Sequence, residues 1–340
     1  MTEKHFKPKD ILDLFEITEI TKQSLINYEE KGEIPKASRD TKTKIASRYW
    51  TTDQLPEIGA KFGFLKAPKS PKIFTTYSQK GGGLKSSITH TFARSLALCG
   101  IKTIVVGTDN QRSVSILLKK DDEVQDFSQL KQKKELGLYH FLFEGASIDE
   151  VIQKTDLPTL DFVPETPELT FVERKLRNEA TRREYVFEDK LIPKLLMKGY
   201  QAILIDCSPT WGSITEASIT ASQFVLCPIE AYTGGYFVVD YNLKNIREFC
   251  EAMKHELNGL FLIPTLTDSS KLSSQILSHY ITNYEDIVVA YSIRRSVAGA
   301  ECGFLNLSPL EYSPTHQLSD DYRKVLKYVW DKVLETERTN

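Results

Sequence analysis

The hydrophobic positions of this chain form short continuous runs, separated by stretches in which apolar residues recur at helical spacing. Runs of strand length occupy residues 73–77, 101–106 and 202–205. Continuous apolar runs of this length are typical of strands that are covered on both faces. The same pattern predicts further strands at residues 160–163, 224–228 and 259–265. Repeated strand–helix units predict an α/β fold with a doubly wound, mostly parallel sheet.

The beginning of the chain follows a helical pattern only. It predicts a short helix at residues 9–15 and a second helix at about 21–31, which Gly32 ends and Pro35 prevents from continuing. Two helices joined by a tight turn fit a helix-turn-helix. Prolines within residues 64–72 indicate a connecting segment. The predicted organisation is a small module at residues 1–66, a linker at 67–72 and a large α/β domain at 73–340.

Charge is distributed unevenly between these parts. The whole chain of 340 residues has a net charge of −2, but residues 1–75 hold 14 Lys and Arg against 11 Asp and Glu. Basic residues clustered on one element are the electrostatic signature of phosphate contact. A solvated helical hairpin or a dimerisation arm is the alternative. The candidate DNA-contacting residues of this module are Lys22, Gln23 and Asn27 for base edges, and Arg39, Lys42, Lys44 and Arg48 for phosphates.

The same region resembles a known DNA-binding fold. The segment Y-E-E-K-G-x-I-P at residues 28–35, followed by Arg39 and by Arg48-Tyr49-Trp50, is similar to the MerR-type winged helix. This resemblance implies that the second helix enters the major groove and that a short basic wing follows the phosphates. The expected N-terminal module is therefore a small all-α winged helix-turn-helix domain.

A glycine-rich loop follows the strand at residues 73–77. Three glycines precede Leu84, Lys85, Ser86 and Ser87, and a helical pattern begins there. Glycines let backbone N–H groups turn inward, and a helix N-terminus adds positive potential. Lys85 is then placed to reach the β- and γ-phosphates of a nucleotide, and Ser86 to bind Mg²⁺. The strict pattern GxxxxGK[ST] is not met, because Gln79 and Leu84 replace its glycines, and a plain glycine turn is the alternative.

A second lysine changes the interpretation of this loop. The string K-G-G-x-x-K-S-S, which begins at Lys80, resembles the deviant Walker A loop of the ParA/MinD family. In that family the next strand ends D-x-D-P-Q, whereas here Gly107 replaces the first aspartate and Asp109 retains the second. A later strand ends at Asp206, as in the family's D-C-P-P-S-L-G, and resembles a Walker B carboxylate. The likeness extends over residues 73–330.

The resemblance implies a set of site residues with ATP and Mg²⁺ as cofactors. The catalytic candidates are Lys80, Lys85 and Asp109, which orients the attacking water and could alternatively be a helix N-cap. Ser86 and Asp206 are the metal candidates. Lys271 and Arg294 are candidates for a nonspecific DNA surface, with plain surface charges as the alternative. The nucleotide-binding candidates are Lys80, Gly81, Gly82, Gly83, Leu84, Lys85, Ser86, Ser87 and Arg295.

The family further implies a DNA-segregation (partition) ATPase. Two subunits would close on ATP as a homodimer, hold nonspecific DNA, and hydrolyse ATP slowly when a centromere-binding ParB-type protein stimulates them. The winged helix would bind an operator and repress the partition genes. The resemblance also implies association with the nucleoid. We expect a cytoplasmic protein, because the start of the chain has no apolar segment and the five cysteines form no CxxC pair.

Two other functions remain open. One is a nucleotide-gated DNA-binding repressor or scaffold with little turnover, which Leu84, Gly107 and Asn110 favour because they depart from the family pattern. The other is a MinD-like ATPase that binds membranes through its C-terminal helix. The charges from Asp320 onward are balanced, so attraction to an anionic membrane is not expected.

Overall fold

The computed structural model describes residues 4–40, 47–119, 135–179 and 182–339. Its centre is an eight-stranded sheet, preceded in the chain by a two-stranded hairpin. The strands of these described ranges are β1 (Ser38–Asp40), β2 (Ser47–Tyr49), β3 (Lys72–Thr76), β4 (Thr103–Gly107), β5 (Gln153–Lys154), β6 (Leu160–Val163), β7 (Ala202–Asp206), β8 (Phe224–Glu230), β9 (Gly259–Thr267) and β10 (Ile293–Arg294).

Helices cover both faces of the sheet. Within the described ranges they are α1 (Pro8–Leu14), α2 (Lys22–Glu30), α3 (Leu55–Phe62), α4 (Lys85–Leu98), α5 (Ser113–Leu118), α6 (Leu138–Phe143), α7 (Ile148–Val151), α8 (Leu169–Glu179), α9 (Ile192–Met197), α10 (Ser213–Thr220), α11 (Thr233–Tyr236), α12 (Val239–Met253), α13 (Lys271–Asn283), α14 (Val297–Phe304), α15 (Pro309–Tyr312) and α16 (Gln317–Thr339).

The large sheet has the strand order β10-β9-β8-β3-β7-β4-β6-β5. All of its pairings are parallel except the short edge pair β5–β6. Every residue of β3, β4 and β7 is buried, as expected for central strands covered on both faces. The prediction of a doubly wound, mostly parallel sheet is therefore confirmed.

The register brings the carboxyl ends of the central strands to one edge. Asp206 at the end of β7 is paired with Thr76 of β3 on one side and with Gly107 of β4 on the other. Because parallel strands end at the same edge, the loops that follow β3, β4 and β7 lie together there.

The N-terminal module consists of α1, α2, the β1–β2 hairpin and α3. Trp50 is fully buried at its centre, and its indole N–H donates to the carbonyl of Pro35 at 2.7 Å. The helices at residues 9–15 and 21–31 were predicted within about one residue of α1 and α2. The hairpin adds β structure to a module expected to be all-α, at the position where the resemblance places a wing.

Helix α3 packs directly on the last turn of α4. A Cβ on Gly59 would lie 1.8 Å from the carbonyl oxygen of Leu98, and a Cβ on Gly100 would lie 2.7 Å from the Cβ of Ala60. Only glycine allows such close approach. The buried side chains Phe15, Leu55 and Ile58 of the module consequently share one hydrophobic core with α4, α16 and the sheet.

The segment predicted as a linker, residues 67–72, is fixed to helix α16. The backbone N–H groups of Lys69 and Ser70 donate to the carboxylate of Glu337, and Lys72 forms an ion pair with it. The indole N–H of Trp330 donates to the carbonyl of Lys66 at 2.8 Å. Lys72 itself already belongs to β3.

The C-terminal helix α16 packs on the sheet, as the sequence predicts. Trp330 is fully buried and stacks on Phe74 of β3, with ring centroids 6.1 Å apart. Its ring also meets the ring of Phe92 on α4 edge-on. In the described part of the chain, no helix has the length and apolarity needed to span a membrane.

Candidate functional site

The glycine-rich loop joins β3 to α4 at the edge where the central strands end. Gly82 has a φ of +84°, in the left-handed region that favours glycine. Leu84 also lies in this region, with a φ of +66°, and is the N-cap residue of α4. A non-glycine residue there costs roughly 1–2 kcal/mol. This left-handed conformation explains why the family pattern has glycine at this position. Leu84 adopts it although its side chain has a Cβ.

Lys85 points back into this loop. Its ammonium donates to the carbonyl of Lys80 at 3.1 Å, and its side chain is almost completely buried. Burial lowers the pKa of Lys85, while the nearby carboxylates of Asp206 and Asp109 act in the opposite direction. A desolvated lysine at a glycine-rich loop that precedes a helix is suited to bind phosphate oxygens.

Ser86 and Asp206 face each other across the loop and the end of β7. The hydroxyl of Ser86 donates to one carboxylate oxygen of Asp206 at 2.6 Å, and the hydroxyl of Thr89 donates to the other at 2.7 Å. Burial raises the pKa of Asp206 to about 7. A desolvated carboxylate beside a hydroxyl provides the hard oxygen ligands that Mg²⁺ prefers, so these residues fit the metal.

Thr89 is a residue of this site that was not predicted from the sequence. It lies three residues after Ser86, and therefore on the same face of α4. This spacing was the available signal.

Asp109 follows β4 and reaches the same edge. Its carboxylate accepts the backbone N–H of Gln111 at 3.0 Å, and Lys85 lies within its electrostatic reach. The N-cap residue of α5 is Arg112, so Asp109 does not have the alternative role of a helix cap. Thr108, its neighbour, fixes the strand end by donating both its N–H and its hydroxyl to the backbone carbonyl of Asp206.

The Lys80 ammonium is bound by a residue outside the loop. It forms an ion pair with Glu230, the last residue of β8. Gly234 makes room for it, because a Cβ there would lie 2.2 Å from the ammonium nitrogen. One third of the Lys80 side chain is exposed. Several exposed aromatic side chains follow Glu230 in the chain, namely Tyr232, Tyr236, Phe237 and Tyr241.

Three predicted residues lie farther along the chain, on or near β10 and α13. Arg294 is held by the carboxylate of Asp321 at 2.6 Å and also by Gln317, so its charge is already compensated. Arg295 is exposed, and its backbone N–H donates to Thr267 at the end of β9. Lys271 is exposed at the start of α13. Their roles stay predictions.

Four of the candidate DNA-contacting residues in the described part of the module are exposed, and a fifth, Arg48, is partly exposed. Lys22, Gln23 and Asn27 are exposed on α2, and the amide of Gln23 donates to that of Asn27 at 3.2 Å. Arg39 is exposed on β1, whereas Arg48 on β2 forms ion pairs with Glu29 and Glu30. Lys42 and Lys44 lie outside the described residues.

Comparison with known proteins gives consistent matches. A family model described as an AAA domain matches residues 71–259, more than half of the chain. The chain is 28% identical over 239 residues to the chromosome partitioning protein ParA of Myxococcus xanthus, covering 68% of this chain and 78% of that protein. It is 24% identical over 259 residues to the sporulation initiation inhibitor protein Soj of Bacillus subtilis, covering 76% and 98%.

The fold also matches solved structures. A plasmid partition protein from Borrelia burgdorferi B31, bound to AMPPNP, superposes with a TM-score of 0.64 at 20% identity. The match covers 77% of this chain and 100% of that chain.

Proposed function

Because the chain belongs to the ParA family of AAA-domain proteins, we propose that it is a DNA-partition ATPase that closes as a homodimer on ATP. One observation supports this most strongly. Lys85, Ser86, Asp109 and Asp206 come from three different segments and meet at one glycine-rich loop, which also presents Lys80. A structural glycine turn would need none of these side chains.

Each of these groups has a distinct task in phosphoryl transfer to water. The loop amides and Lys85 hold the β- and γ-phosphates. Ser86 and Asp206 would hold Mg²⁺, directly or through water, and the metal would supply charge neutralisation at the phosphate oxygens. Asp109 orients the attacking water.

Lys80 acts between subunits in this proposal. It leaves Glu230 and reaches the phosphates of the partner, where it compensates charge as an arginine finger does. The exposed aromatic residues beside it, among them Tyr232 and Phe237, suit a surface that becomes buried when a second copy docks. The closed dimer binds nonspecific DNA, with Lys271 and Arg294 as candidate contacts, and a centromere-binding ParB-type protein accelerates its slow hydrolysis.

The N-terminal module binds an operator in this proposal and represses the partition genes. Its support is the exposed face of α2, on which Lys22, Gln23 and Asn27 lie, together with the β1–β2 hairpin that follows α2 in the chain. The protein would then be cytoplasmic and associated with the nucleoid. Footprinting on the DNA upstream of its own reading frame, with a Lys22→Ala and Gln23→Ala double variant as comparison, tests this part. An unchanged footprint in the variant would contradict it.

The ATPase proposal is tested by measuring ATP hydrolysis with and without a random duplex of about 60 base pairs, long enough for a nonspecific site. We expect slow, DNA-enhanced turnover that is lost in Lys85→Ala and in Lys80→Ala. The Lys80→Ala variant should still bind ATP as a monomer, because Lys80 does not enter its own phosphate loop. Turnover that survives both substitutions would refute the proposal.

A second candidate function is a nucleotide-gated DNA-binding switch without turnover. Two observations favour it, namely the left-handed conformation imposed on Leu84 and the glycine at position 107. Tight ATP binding without hydrolysis in the wild type, together with nucleotide-dependent operator binding, would establish it instead.

A further inference from the structure

Gly107 lies at a position where the family pattern D-x-D-P-Q has an aspartate. It is the last residue of β4, which lies between β7 and β6 in the sheet. Its register partner on β7 is Asp206. On the other side, β6 ends at Val163, and two residues later the chain reaches Glu165. Three neighbouring strand ends therefore present Asp206, Gly107 and Glu165 in spatial order.

The side chain of Glu165 fills the space that a side chain at position 107 would occupy. A Cβ built on Gly107 would lie 2.4 Å from the carboxyl carbon of Glu165, 2.6 Å from its Cγ and 2.8 Å from Oε1. These distances are far below van der Waals contact, so Glu165 in this position and any other residue at 107 exclude each other. A carboxyl group therefore lies directly beside position 107, and it belongs to the segment after β6.

This carboxyl group is completely buried and binds the first turn of α5, the helix that follows the Asp109 loop. It accepts the backbone N–H of Ser115 at 2.8 Å and that of Val114 at 3.4 Å, and it is hydrogen-bonded to the hydroxyl of Ser115. The Ser115 hydroxyl in turn accepts the N–H of Glu165 at 2.9 Å. The N-cap residue Arg112 provides no side-chain cap, so Glu165 satisfies the first turn of α5 instead.

Glu165 also belongs to the electrostatic environment of the metal candidate. Its carboxylate is among the groups that raise the pKa of Asp206, after burial, which is the main cause. A helix cap alone would not require a carboxylate in this location, between the ends of β6 and β7.

We propose that Glu165 supplies the carboxyl group that Gly107 lacks and thereby positions the Asp109 loop at the phosphate site. Glu165 is a positioning residue in this proposal, since it acts through α5 and the loop that precedes it. The inference rests on the proposed function in so far as it concerns hydrolysis. Its structural part, the exchange of a carboxyl group between two strand ends, stands independently.

The exchange predicts that two harmful substitutions rescue each other. Gly107→Asp alone places a side chain inside that of Glu165, and Glu165→Ala alone leaves the amides of α5 without an acceptor. Each single variant should lower kcat by roughly 10- to 100-fold, with a smaller effect on ATP affinity, because misplacement of a catalytic group affects mainly the chemical step. The double variant Gly107→Asp/Glu165→Ala should recover most of the loss.

Glu173 provides the matched control. It lies on α8 and caps a different helix, α10, by accepting the N–H groups of Ser213 at 2.8 Å and Ile214 at 3.0 Å. Glu173→Ala should therefore remove a helix cap without disturbing the Asp109 loop. Gly107→Asp should not rescue it. If Gly107→Asp rescued Glu173→Ala as well, or failed to rescue Glu165→Ala, the inference would be overturned.

Hydrogen exchange separates this inference from the proposed function. The amides of residues 113–116 should exchange faster in Glu165→Ala and regain protection in the double variant, with ATPγS and Mg²⁺ present and no turnover required. A wild type that does not hydrolyse ATP would refute the ATPase proposal. The hydrogen-exchange pattern described above would still support the inference in that case. Unchanged protection in Glu165→Ala would refute the inference even if the wild type is an active ATPase.

Discussion

At the scale of single residues, the ion pair with Glu230 fixes the direction of the Lys80 side chain. Both side chains are mostly buried at the end of β8, and Gly234 leaves the space that the ammonium occupies. In the proposed dimer the same ammonium must reach phosphates of the partner. The ion pair therefore competes with dimer closure.

The variant Glu230→Gln should favour the ATP-bound dimer. Removing the carboxylate releases Lys80 in both subunits, and a partly exposed ion pair contributes about 1 kcal/mol. The two released pairs should together lower the dissociation constant of the dimer roughly 30-fold. Analytical ultracentrifugation with ATP and Mg²⁺ measures this. Glu335→Gln, which breaks the exposed pair with Lys332 on α16, is the control and should have no effect. A weaker dimer in Glu230→Gln would contradict the competition.

Leu84 offers a second test at this scale. Its φ of +66° disfavours any residue with a Cβ, so Leu84→Gly should be more stable than Leu84→Ala by about 1 kcal/mol. Within an ordinary helix the order is reversed, and Asp331→Ala on α16 should be more stable than Asp331→Gly by about the same amount. Urea unfolding of the four variants gives both differences. An advantage of alanine at position 84 would show that the loop relaxes to another conformation.

At the scale of elements, helix α4 is held by a buried polar network around Arg94. Arg94 is 1% exposed and donates to the carboxylate of Glu311, which is fully buried, at 2.6 Å. It also forms a bidentate pair with Asp156 at 2.8 and 2.9 Å. Burial opposes ionisation of Glu311, but Arg94 outweighs it and holds the pKa of Glu311 below its usual value.

Removing this arginine should destabilise the fold strongly. Arg94→Met leaves Glu311 buried without a counter-ion, which costs about 3–5 kcal/mol. Arg177→Met removes a solvent-exposed arginine from its pair with Glu173 and should cost less than about 1 kcal/mol. Chemical denaturation of both variants gives the comparison. Similar losses in the two variants would mean that the buried network does not determine the stability of α4.

Most of the elements could be predicted from the sequence, and the exceptions have physical causes. Strands β6, β7, β8 and β9 agree with their apolar runs to within two residues. Strands β5 and β10 have only two residues each and are too short to form a run. The phosphate loop was predicted because its residues are consecutive. The role of Glu165 was not predicted, because it depends on contact between the ends of two strands. Glu165 and Gly107 lie 58 positions apart in the sequence.

At the scale of the whole molecule, the N-terminal module and the nucleotide domain form one hydrophobic core. The module contributes Phe15, Leu55 and Ile58 to the core that also contains Phe92 and Trp330. The prolines at 68 and 71 predict a linker. Composition alone cannot show that Glu337 binds the backbone of this segment. Local sequence predicts both units, but it does not predict how closely they pack.

A methyl group at the contact between α3 and α4 should disrupt this arrangement. In Gly59→Ala the new Cβ has no room beside the carbonyl of Leu98, so helix α3 must move and the melting temperature should fall by several degrees. Glu57→Ala changes an exposed residue of the same helix and should melt like the wild type. Calorimetry measures both. An unchanged melting temperature in Gly59→Ala would mean that the module does not depend on this contact.

The shared core also bears on how such a chain can change during evolution. A module joined by a flexible tether can be gained, lost or exchanged by recombination at the tether. Here a break near residue 66 would expose the apolar side chains of α3 on one fragment and those of α4 and α16 on the other. Point mutations can therefore replace the surface residues of α2 or the hairpin one at a time. The module as a unit, however, has to be inherited together with the two helices that it covers.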